Sequence, residues 1–427
     1  MSRYLCVFVF LLCASNLRAQ LTLEVHAGGH DRINCPVSFP LPDAWSDTRH
    51  FQLVRNSDKK QIQVQRLGWA KSPRVIWMIH DRLAAGEKRS YTLSQANGPP
   101  KIKHAVRCED DGAAITVTVG GSPVLRFNHA TVEAPEGIDP VYRRSGYIHP
   151  VYTPTGNVVT GDFEKDHAHQ HGIFNAWVNA SFRSKPVDFW NQAKGLGDVE
   201  FKTMLNRRKS GPVFAQFTAK LTHIAVRDGE RIPAIEETWQ VRVYHAQDPF
   251  LFEIFSKQTT ATEDPVQVNE YHYGGFGIRG PSEWLVTKDS EAKDSEVKDN
   301  NPNQDPVAAG DFLTSENRTR TDGNHTRARW VEMHGPLGSQ HGGIIVMGAN
   351  NNFRAPQTVR LHPNKPYFCF APMALGAFAL EQGDTYTSRF RFATHDGAQD
   401  AKLAERLWQD FAHPPKVIAT ANSVSSN

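Results

Sequence analysis

Residues 161–174, GDFEKDHAHQHGIF, carry the densest set of titratable groups in the sequence. Histidines occupy every second position of this segment: His167, His169 and His171. In an extended segment, positions i, i+2 and i+4 face the same way, so the three imidazoles would point to one side together if this segment is extended. Such imidazoles can bind a metal, exchange protons with a substrate, or form a hydrogen-bonded polar loop.

A metal site needs further ligands from elsewhere in the chain, and those ligands need hydrogen-bonding partners of their own. His149, in GYIHPVYTPTG, and His272, in NEYHYGG, are the candidates. Imidazole also takes and gives a proton near neutral pH, so the same histidines suit acid/base chemistry. We expect no cofactor, and a divalent metal at the histidines is kept as an alternative.

A second polar segment, VNEYHYGGFGIRGPSEW, spans residues 268–284. In an extended chain Glu270 and His272 share a face, and the glycines let the backbone approach a ligand. Arg279 is expected to hold an acidic or hydroxyl-rich substrate. Trp177 offers a flat face for a sugar ring, although core packing explains a single tryptophan equally well.

These patterns give two sets of predicted site residues. The predicted catalytic residues are His149, His167, His169 and Glu270. The predicted substrate-binding residues are Tyr152, Asp166, His171, His272, Arg279 and Trp177. Glu270 or Asp166 would orient a histidine or act as the second carboxylate of a glycosidase.

Composition and missing motifs argue against several classes of function. The chain has 48 Lys and Arg against 45 Asp and Glu, a formal net charge of +3. Removing Arg3 and Arg18 with an N-terminal signal leaves about +1, which gives no electrostatic reason to expect nucleic acid. The sequence lacks G-x-S-x-G, HExxH, CxxC and a GxGxxG that opens a βαβ unit, so serine hydrolases, zincins, thioredoxin-like and dinucleotide-binding proteins lose support.

The N-terminus predicts a secretory signal peptide over residues 1–19. Arg3 is followed by an apolar run, residues 4–14, that is too short to span a bilayer, and a cleavage site precedes Gln20. We expect a periplasmic or secreted protein without membrane insertion. The remaining cysteines allow at most one disulfide: Cys35, Cys108 and Cys369.

Alternating apolar residues predict strands along most of the chain, as in AITVTV and TWQVRVY. One segment, DAKLAERLWQDFAH, has helical spacing, with Asp400 as its N-cap. We predict an all-β fold: a small N-terminal β-sandwich domain over residues 20–127, a large β-sandwich domain over 128–415 that carries the histidines, and a disordered tail over 416–427. The charged near-repeat KDSEAKDSEVKDNNPNQDP, from Lys288, is expected to be a solvated loop.

The sequence resembles the bacterial exported proteins called the PmoA family, or methane oxygenase PmoA, a domain of unknown function. The resemblance rests on AGGHDRINCPVSFPLP, YIHPVYTPTGNVVTGDFEKDHAHQHGIFNAW, GFGIRGPSEW, RARWVEMHG and PYFCFAPMALGAFALEQGDTYTSRFRFATHDG. It implies a β-rich exported protein of bacteria that degrade polysaccharides, with a likeness to galactose-mutarotase-like β-sandwiches. The family name does not describe an activity, because methane monooxygenase subunits cross the membrane several times.

The family's motif is similar to Asp-His-Pro-His-His-Arg-Gly. Asp166, His167, His169 and Gly172 match it, whereas Ala168, Gln170 and His171 depart from it. The resemblance therefore gives His171 less weight and argues against a metal held by three alternate histidines. His149 matches the family's Tyr-x-His-Pro element, and Arg279 its Gly-x-x-x-Arg element.

The leading hypothesis is an enzyme that acts on poly- or oligosaccharides by histidine and carboxylate acid/base chemistry. Hydrolysis, β-elimination and epimerisation all fit, and the excess of histidines favours the last two. Two alternatives stay open: a non-catalytic periplasmic sugar-binding protein, and a metal-dependent oxidoreductase. The expected partner is a carbohydrate, and the sequence leaves its identity and the oligomeric state open.

Overall fold

The computed structural model describes residues 20–68, 72–99, 106–205, 208–286 and 310–421. The predicted signal peptide and the charged near-repeat from Lys288 lie outside these residues. Strands predominate in the described chain, and α1, Ala401–Ala412, is its single α-helix. The predicted all-β fold with a helix near the C-terminus is confirmed. The carboxylate of Asp400 caps the helix by accepting backbone N–H groups of Lys402 and Leu403, at 2.9 and 3.0 Å.

The N-terminal unit is a small sandwich of two sheets. Its strands are β1 Gln20–His26, β2 Cys35–Pro40, β3 His50–Arg55, β4 Gln61–Ile62, β5 Val64–Leu67, β6 Arg74–Ile79 and β7 Lys88–Ala96. One sheet has the order β1-β7-β3-β4 and the other the order β2-β6-β5. Alternate apolar residues of both sheets, among them Leu23, Leu53, Trp77 and Leu93, form a common core.

The larger unit contains twenty strands. They are β8 Val106–Asp110, β9 Ala114–Val119, β10 Ser122–Asn128, β11 Tyr147–Val151, β12 Ile173–Ala176, β13 Ala180–Phe182, β14 Lys185–Val187, β15 Gly197–Met204, β16 Phe214–Arg227, β17 Glu230–Tyr244, β18 Phe250–Thr260, β19 Val266–Val268, β20 Gly275–Arg279, β21 Asp311–Thr314, β22 Trp330–Leu337, β23 Gln340–Gly348, β24 Val359–Leu361, β25 Tyr367–Phe370, β26 Phe378–Leu380 and β27 Tyr386–Asp396. Short 3-10 helices connect some of the elements: Asp43–Trp45, Pro140–Tyr142, Gln192–Lys194, Ser282–Trp284 and Pro372–Leu375.

Two eight-stranded sheets form the large sandwich. Sheet I has the order β24-β25-β20-β12-β11-β10-β9-β8, and sheet II the order β15-β16-β17-β18-β27-β23-β22-β21. Their inner faces meet through aromatic side chains: the ring of Phe127 in sheet I lies 5.2 Å from Phe217 and 6.4 Å from Trp239 in sheet II. A further small sheet, β14-β13-β19-β26, lies beside them.

The helix packs on the outer face of sheet II and joins the two units. Leu407 and Phe411 of α1 share an apolar cluster with Ile345 and Met347 of β23 and with Met78 of the N-terminal unit. This arrangement explains the predicted helical period, because only one face of α1 is buried.

The predicted boundary near residue 128 is wrong. Strands β8, β9 and β10 lie in sheet I, where Phe127 pairs with Ile148 of β11. The side chains of Ile115, Val117 and Phe127 are fully buried in the core of the large sandwich. The period-two pattern predicts a strand equally well in either unit, so it could not assign these strands to a sheet.

The predicted disordered tail is also wrong over its first half. Residues Lys416–Ala421 form β28, which pairs with β1 in an antiparallel register that runs from Leu21↔Ala421 to His26↔Lys416. An unpaired strand edge leaves backbone hydrogen-bonding groups without partners, and β28 satisfies those of β1 without needing an apolar face of its own. Residues 422–427 lie outside the described chain.

Cys35, Cys108 and Cys369 are free and buried, so none of the three forms a disulfide. Among the described residues, no helix has the length and apolar character to cross a membrane.

Candidate functional site

The histidine-rich segment is a loop that joins β11 to β12, and it is not extended. The backbone N–H of His167 donates to the carbonyl of Glu164 at 2.9 Å, and that of Gln170 donates to the carbonyl of His167 at 3.0 Å. These two tight turns break the period of two. The three imidazoles therefore do not face one side.

Both ends of the loop are fixed on the last residue of β20. Gly161 donates its N–H to the carbonyl of Arg279, Arg279 donates to Gly172, and Gly172 donates to Gly161, at 2.8–2.9 Å. Gly172 has a φ of +49°, and a Cβ there would lie 2.1 Å from the carbonyl oxygen of Ile148. Glycine is required at this position because the backbones of β11 and the loop touch.

His171 points into the protein and belongs to a buried polar triad. Its Nδ1 lies 2.6 Å from Oδ1 of Asp162, and the hydroxyl of Tyr147 donates to the other oxygen of Asp162 at 2.7 Å. The ring of Phe163 packs edge-on against His171 at 4.7 Å. Because the imidazole is fully buried, the predicted contact between His171 and substrate is not one that this conformation offers.

His167 and His169 do come together on the outer face of sheet I. Their ring centroids are 5.2 Å apart, and both residues are partly exposed. Nδ1 of His167 lies 2.7 Å from Nζ of Lys365, in the segment between β24 and β25. An ammonium group only donates hydrogen bonds, so Nδ1 accepts and the proton of the neutral ring lies on Nε2.

An ion pair between Asp166 and Arg279 holds the loop that carries His167 and His169. The guanidinium of Arg279 is fully buried and donates two hydrogen bonds to the carboxylate of Asp166, at 2.7 and 3.0 Å. It also donates to Oε1 of Gln170 at 3.2 Å and to the carbonyl of Gly280 at 3.1 Å. Nζ of Lys365 lies 3.3 Å from Asp166. Arg279 is thus an anchor for the loop, and its guanidinium is not free for the substrate carboxylate that the sequence suggested.

The environment shifts the protonation of these groups strongly. Burial lowers the pKa of His169 to about 3, and the neighbouring His167, His171 and Arg144 contribute in the same direction. Burial alone would raise the pKa of Asp166, but hydrogen bonds from Arg279 and the positive charges of Arg279 and Lys365 hold it well below the usual range. His169 is therefore a neutral imidazole, and Asp166 a carboxylate, at neutral pH.

His149 lies on β11, at the edge of the same site. Its Nδ1 is 3.0 Å from the hydroxyl of Thr160, and its carbonyl accepts from Asn128 at 2.8 Å. Burial lowers the pKa of His149, against the opposing effect of Asp162. His149 lies next to the histidine loop, since a Cβ added to Gly172 would be 2.9 Å from the Cβ of His149. The hydroxyl of Thr160 also connects it to the start of that loop.

Other predicted site residues lie at the opposite end of β20. Gly275 pairs with Ala176 at that end, whereas Ile278 pairs with Ile173 beside the histidine loop. Glu270 and His272 precede Gly275 and are exposed, and the nearest ring to His272 across the chain is His325, at 6.0 Å. A strand rises about 3.3 Å per residue, so Glu270 is too far away to act with His169.

Trp177 and Tyr152 also stay outside the cluster. Trp177 is 1 % exposed, donates from Nε1 to Gln258 at 2.7 Å and packs against Tyr386, so it belongs to the core and offers no face to a sugar. Tyr152 follows β11, and its carbonyl accepts from Thr394 of sheet II.

No group of three or more His, Cys, Asp or Glu side chains in the described residues has the arrangement of a metal site. His167 and His169 are paired with each other and with Lys365, and the cation of Lys365 opposes a metal ion at Nδ1 of His167. His272, one of the proposed additional ligands, lies at the other end of β20.

Three residues of the site were not predicted: Lys365, His362 and Glu164. The ring of His362 lies 5.9 Å from His167, and burial together with Arg360 and Lys365 lowers its pKa to about 3. Burial raises the pKa of Glu164, which neighbours Arg279 and Asp166. Lys365 is nearly two hundred residues from His167 in the sequence. Only the alignment of β25 beside β20 brings it there.

Comparisons with known proteins give a family and a distant fold likeness. The chain is similar to a crystal structure of a protein in glycosyl hydrolase family 38 from Enterococcus faecalis, with 11 % sequence identity and a TM-score of 0.47. The match covers 94 % of this chain but 47 % of that protein, so the chain spans about half its length. No curated protein matches the chain.

A family profile described as a family of unknown function, DUF6807, matches residues 114–409. The match begins at β9 and ends in α1, and thus includes the loop with His167 and His169, β20 and Lys365. The comparisons do not give the PmoA name, which remains an expectation from resemblance. The chain belongs to the DUF6807 family of unknown function.

Proposed function

We propose that the protein is an exported carbohydrate-active enzyme that removes a carbon-bound proton from an acidic sugar, by β-elimination or epimerisation. One observation carries the proposal: the neutral imidazoles of His167 and His169 lie 5.2 Å apart on a partly exposed surface, backed by the ammonium group of Lys365. The apolar N-terminal segment and the resemblance to proteins of polysaccharide-degrading bacteria support export and the substrate class.

The charges of the site favour chemistry in which negative charge develops. Lys365 and Arg279 carry two positive charges, Asp166 carries one negative charge, and the two imidazoles are neutral. An excess of positive charge stabilises an enolate or alkoxide. It opposes the positively charged transition state of glycoside hydrolysis, which normally relies on two carboxyl groups.

Two of the carboxyl groups near the histidines are committed to other partners. Asp162 is held by Tyr147 and His171, and Asp166 by Arg279 and Lys365. Burial raises the pKa of Glu164, which suits a protonated acid, but neither aspartate is a free carboxylate that could act as the nucleophile or base of hydrolysis. The carboxyl groups therefore favour elimination or epimerisation over hydrolysis.

The proposed elimination conserves protons and electrons without an oxidant. His169 takes the proton from the sugar carbon, and the C–H electron pair forms a carbon–carbon double bond as the glycosidic C–O bond breaks. His167 gives its Nε2 proton to the leaving oxygen, and Lys365 replaces it at Nδ1. Negative charge on the bound sugar would raise the pKa of His169 toward neutrality, which makes it a better base.

A partly exposed aromatic side chain near His169 provides a surface for a sugar. The ring of Tyr142 lies 6.4 Å from that of His169. Tyrosine binds sugars by ring packing and by hydrogen bonds from its hydroxyl.

The test is incorporation of solvent deuterium. Uronate-containing plant and algal oligosaccharides are incubated with the full mature chain in D₂O, and products are read by mass spectrometry and by ultraviolet absorbance of new double bonds. We expect deuterium at carbon or an unsaturated product, and its loss in His169→Gln. His341→Gln, an exposed histidine on β23, is the matched control and should keep full activity. Hydrolysis without carbon-bound deuterium, or turnover that His169→Gln leaves unchanged, contradicts the proposal.

A further inference from the structure

Arg144 is a buried cation whose Nε and Nη1 have no hydrogen-bonding partner among the described residues. It is 2 % exposed. Its backbone is fixed by two hydrogen bonds with Val132, at 3.1 and 2.8 Å, so the inward direction of the side chain is set by the fold. Arginine stays charged in proteins and can only donate, so an acceptor is missing here.

A second unpartnered donor lies against the same aromatic ring. Nε1 of Trp190 is buried and has no acceptor in the described chain. The ring of Trp190 is 4.4 Å from that of Phe174, and the guanidinium carbon of Arg144 is 5.3 Å from the same ring. Leaving a buried donor unsatisfied is costly, and leaving a buried charge unpaired costs more. Two such donors around one ring could both be satisfied by a bound acceptor.

The nearby carboxylates do not supply the missing acceptor. Asp162 is occupied by Tyr147 and His171, and Asp198 accepts from the N–H of Val199 at 2.8 Å. Burial lowers the pKa of Arg144 even though Asp198 and Asp162 act in the opposite direction. The two carboxylates therefore balance part of the charge from a distance and leave the N–H groups free.

The position of Arg144 ties this subsite to the histidines. The ring of Tyr142, two residues before Arg144, lies 6.4 Å from that of His169, so the segment that carries Arg144 lies beside the histidines. Gln192 connects the backbone beside Arg144 with the histidine loop. Its amide donates to the carbonyl of Arg143 at 2.9 Å, and its oxygen lies 3.4 Å from Nε2 of His171. An anion bound to Arg144 would lie beside the proposed base.

We propose that Arg144 and Trp190 form the binding subsite for the carboxylate of a hexuronate residue. The inference rests on the proposed function and specifies its substrate class. A guanidinium matches a carboxylate in charge and geometry, and the indole N–H adds a neutral donor. Neutralising the carboxylate makes the neighbouring C–H more acidic, so binding at Arg144 and proton removal by His169 assist each other.

Calorimetric titration of the full mature chain tests this subsite. The probes are a glucuronate-containing trisaccharide and the same trisaccharide with its carboxyl reduced to an alcohol, each also titrated in the presence of sodium sulfate. We expect the acidic form to bind about 10- to 100-fold more tightly than the reduced form, as for a hydrogen-bonded charge. This preference should vanish in Arg144→Gln and persist in Arg143→Gln, which removes an adjacent but exposed arginine.

A second variant keeps the test decisive if Arg144→Gln does not fold. Trp190→Phe keeps an aromatic ring but removes the N–H group together with part of the indole, and should weaken binding of the acidic form by about 3- to 10-fold. An unchanged preference for the acidic form in both variants overturns the subsite. Competition by sulfate as strong as that of glucuronate overturns the assignment to a carboxylate.

The two proposals fail in different ways. Equal binding of the acidic and reduced trisaccharides by the natural chain removes the subsite and leaves deuterium incorporation to decide the reaction. Tight, Arg144-dependent binding of the acidic form without any deuterium incorporation or unsaturated product supports the subsite and removes the proposed enzyme.

Discussion

Replacing Asp166 with asparagine should destabilise the protein far more than an ordinary loss of an ion pair. The Arg279 side chain is fully buried, whereas that of Asp166 is 22 % exposed, and two hydrogen bonds of 2.7 and 3.0 Å join them. Asp166→Asn leaves the guanidinium buried with a neutral partner. Removing one charge of a buried pair costs about 3–5 kcal/mol, and the retained amide oxygen and partial exposure reduce this to about 3 kcal/mol.

The matched control is Asp264→Asn. Asp264 lies 2.6 Å from Nε of Arg183, but both side chains are more than 40 % exposed. Exposed pairs contribute about 0–1 kcal/mol, so this variant should change the free energy of unfolding by less than about 1 kcal/mol. Urea denaturation of both variants at pH 7, followed by tryptophan fluorescence, measures the difference.

The pH dependence of the stability difference tests whether the charge of Asp166 is its cause. The folded-state pKa of Asp166 is depressed from its ordinary value of 3.8, so its charge stabilises the protein above that pH and the contribution is lost as the pH falls below it. The gap between the natural protein and Asp166→Asn should therefore be constant near neutrality and narrow under acid conditions. A gap no larger than that of Asp264→Asn, or one that does not narrow in acid, would show that the Asp166–Arg279 ion pair does not stabilise the fold in this way.

Three other changes test particular parts of the site. Gly172→Ala should destabilise by about 3 kcal/mol or more in thermal unfolding, because its Cβ meets the carbonyl of Ile148, whereas Gly195→Ala, at a similar φ in open space, should cost about 1 kcal/mol. The ring of His169 should titrate near pH 3 by NMR. Because the unfolded chain binds this proton at about pH 6.5, the free energy of unfolding should fall as the pH drops from 6.5 toward 3. His169→Gln should make that fall less steep. Trp177→Phe loses the hydrogen bond to Gln258 and should lower the free energy of unfolding by about 1–2 kcal/mol without changing saccharide affinity in calorimetry, contrary to a sugar-stacking role.

The sequence alone predicted the fold class and singled out the segment of the candidate site. Alternating apolar residues specify strands because side chains of a strand alternate between faces, and AITVTV forms β9 as predicted. The helix and its Asp400 cap follow from local spacing and local hydrogen bonds. The loop with His167 and His169 was identified because titratable residues and glycines crowd one short segment.

The tertiary structure decided which side chains act together. Arg279 was predicted to hold substrate, but β20 carries it to Asp166, while Arg144, which no motif distinguishes, is left with unpaired donors. Lys365 reaches His167 only through the order of strands in sheet I. His171 turns into the core although it shares the spacing of its neighbours. Spacing along a chain sets directions only within a regular element, whereas burial and hydrogen-bonding partners depend on which distant strands become neighbours.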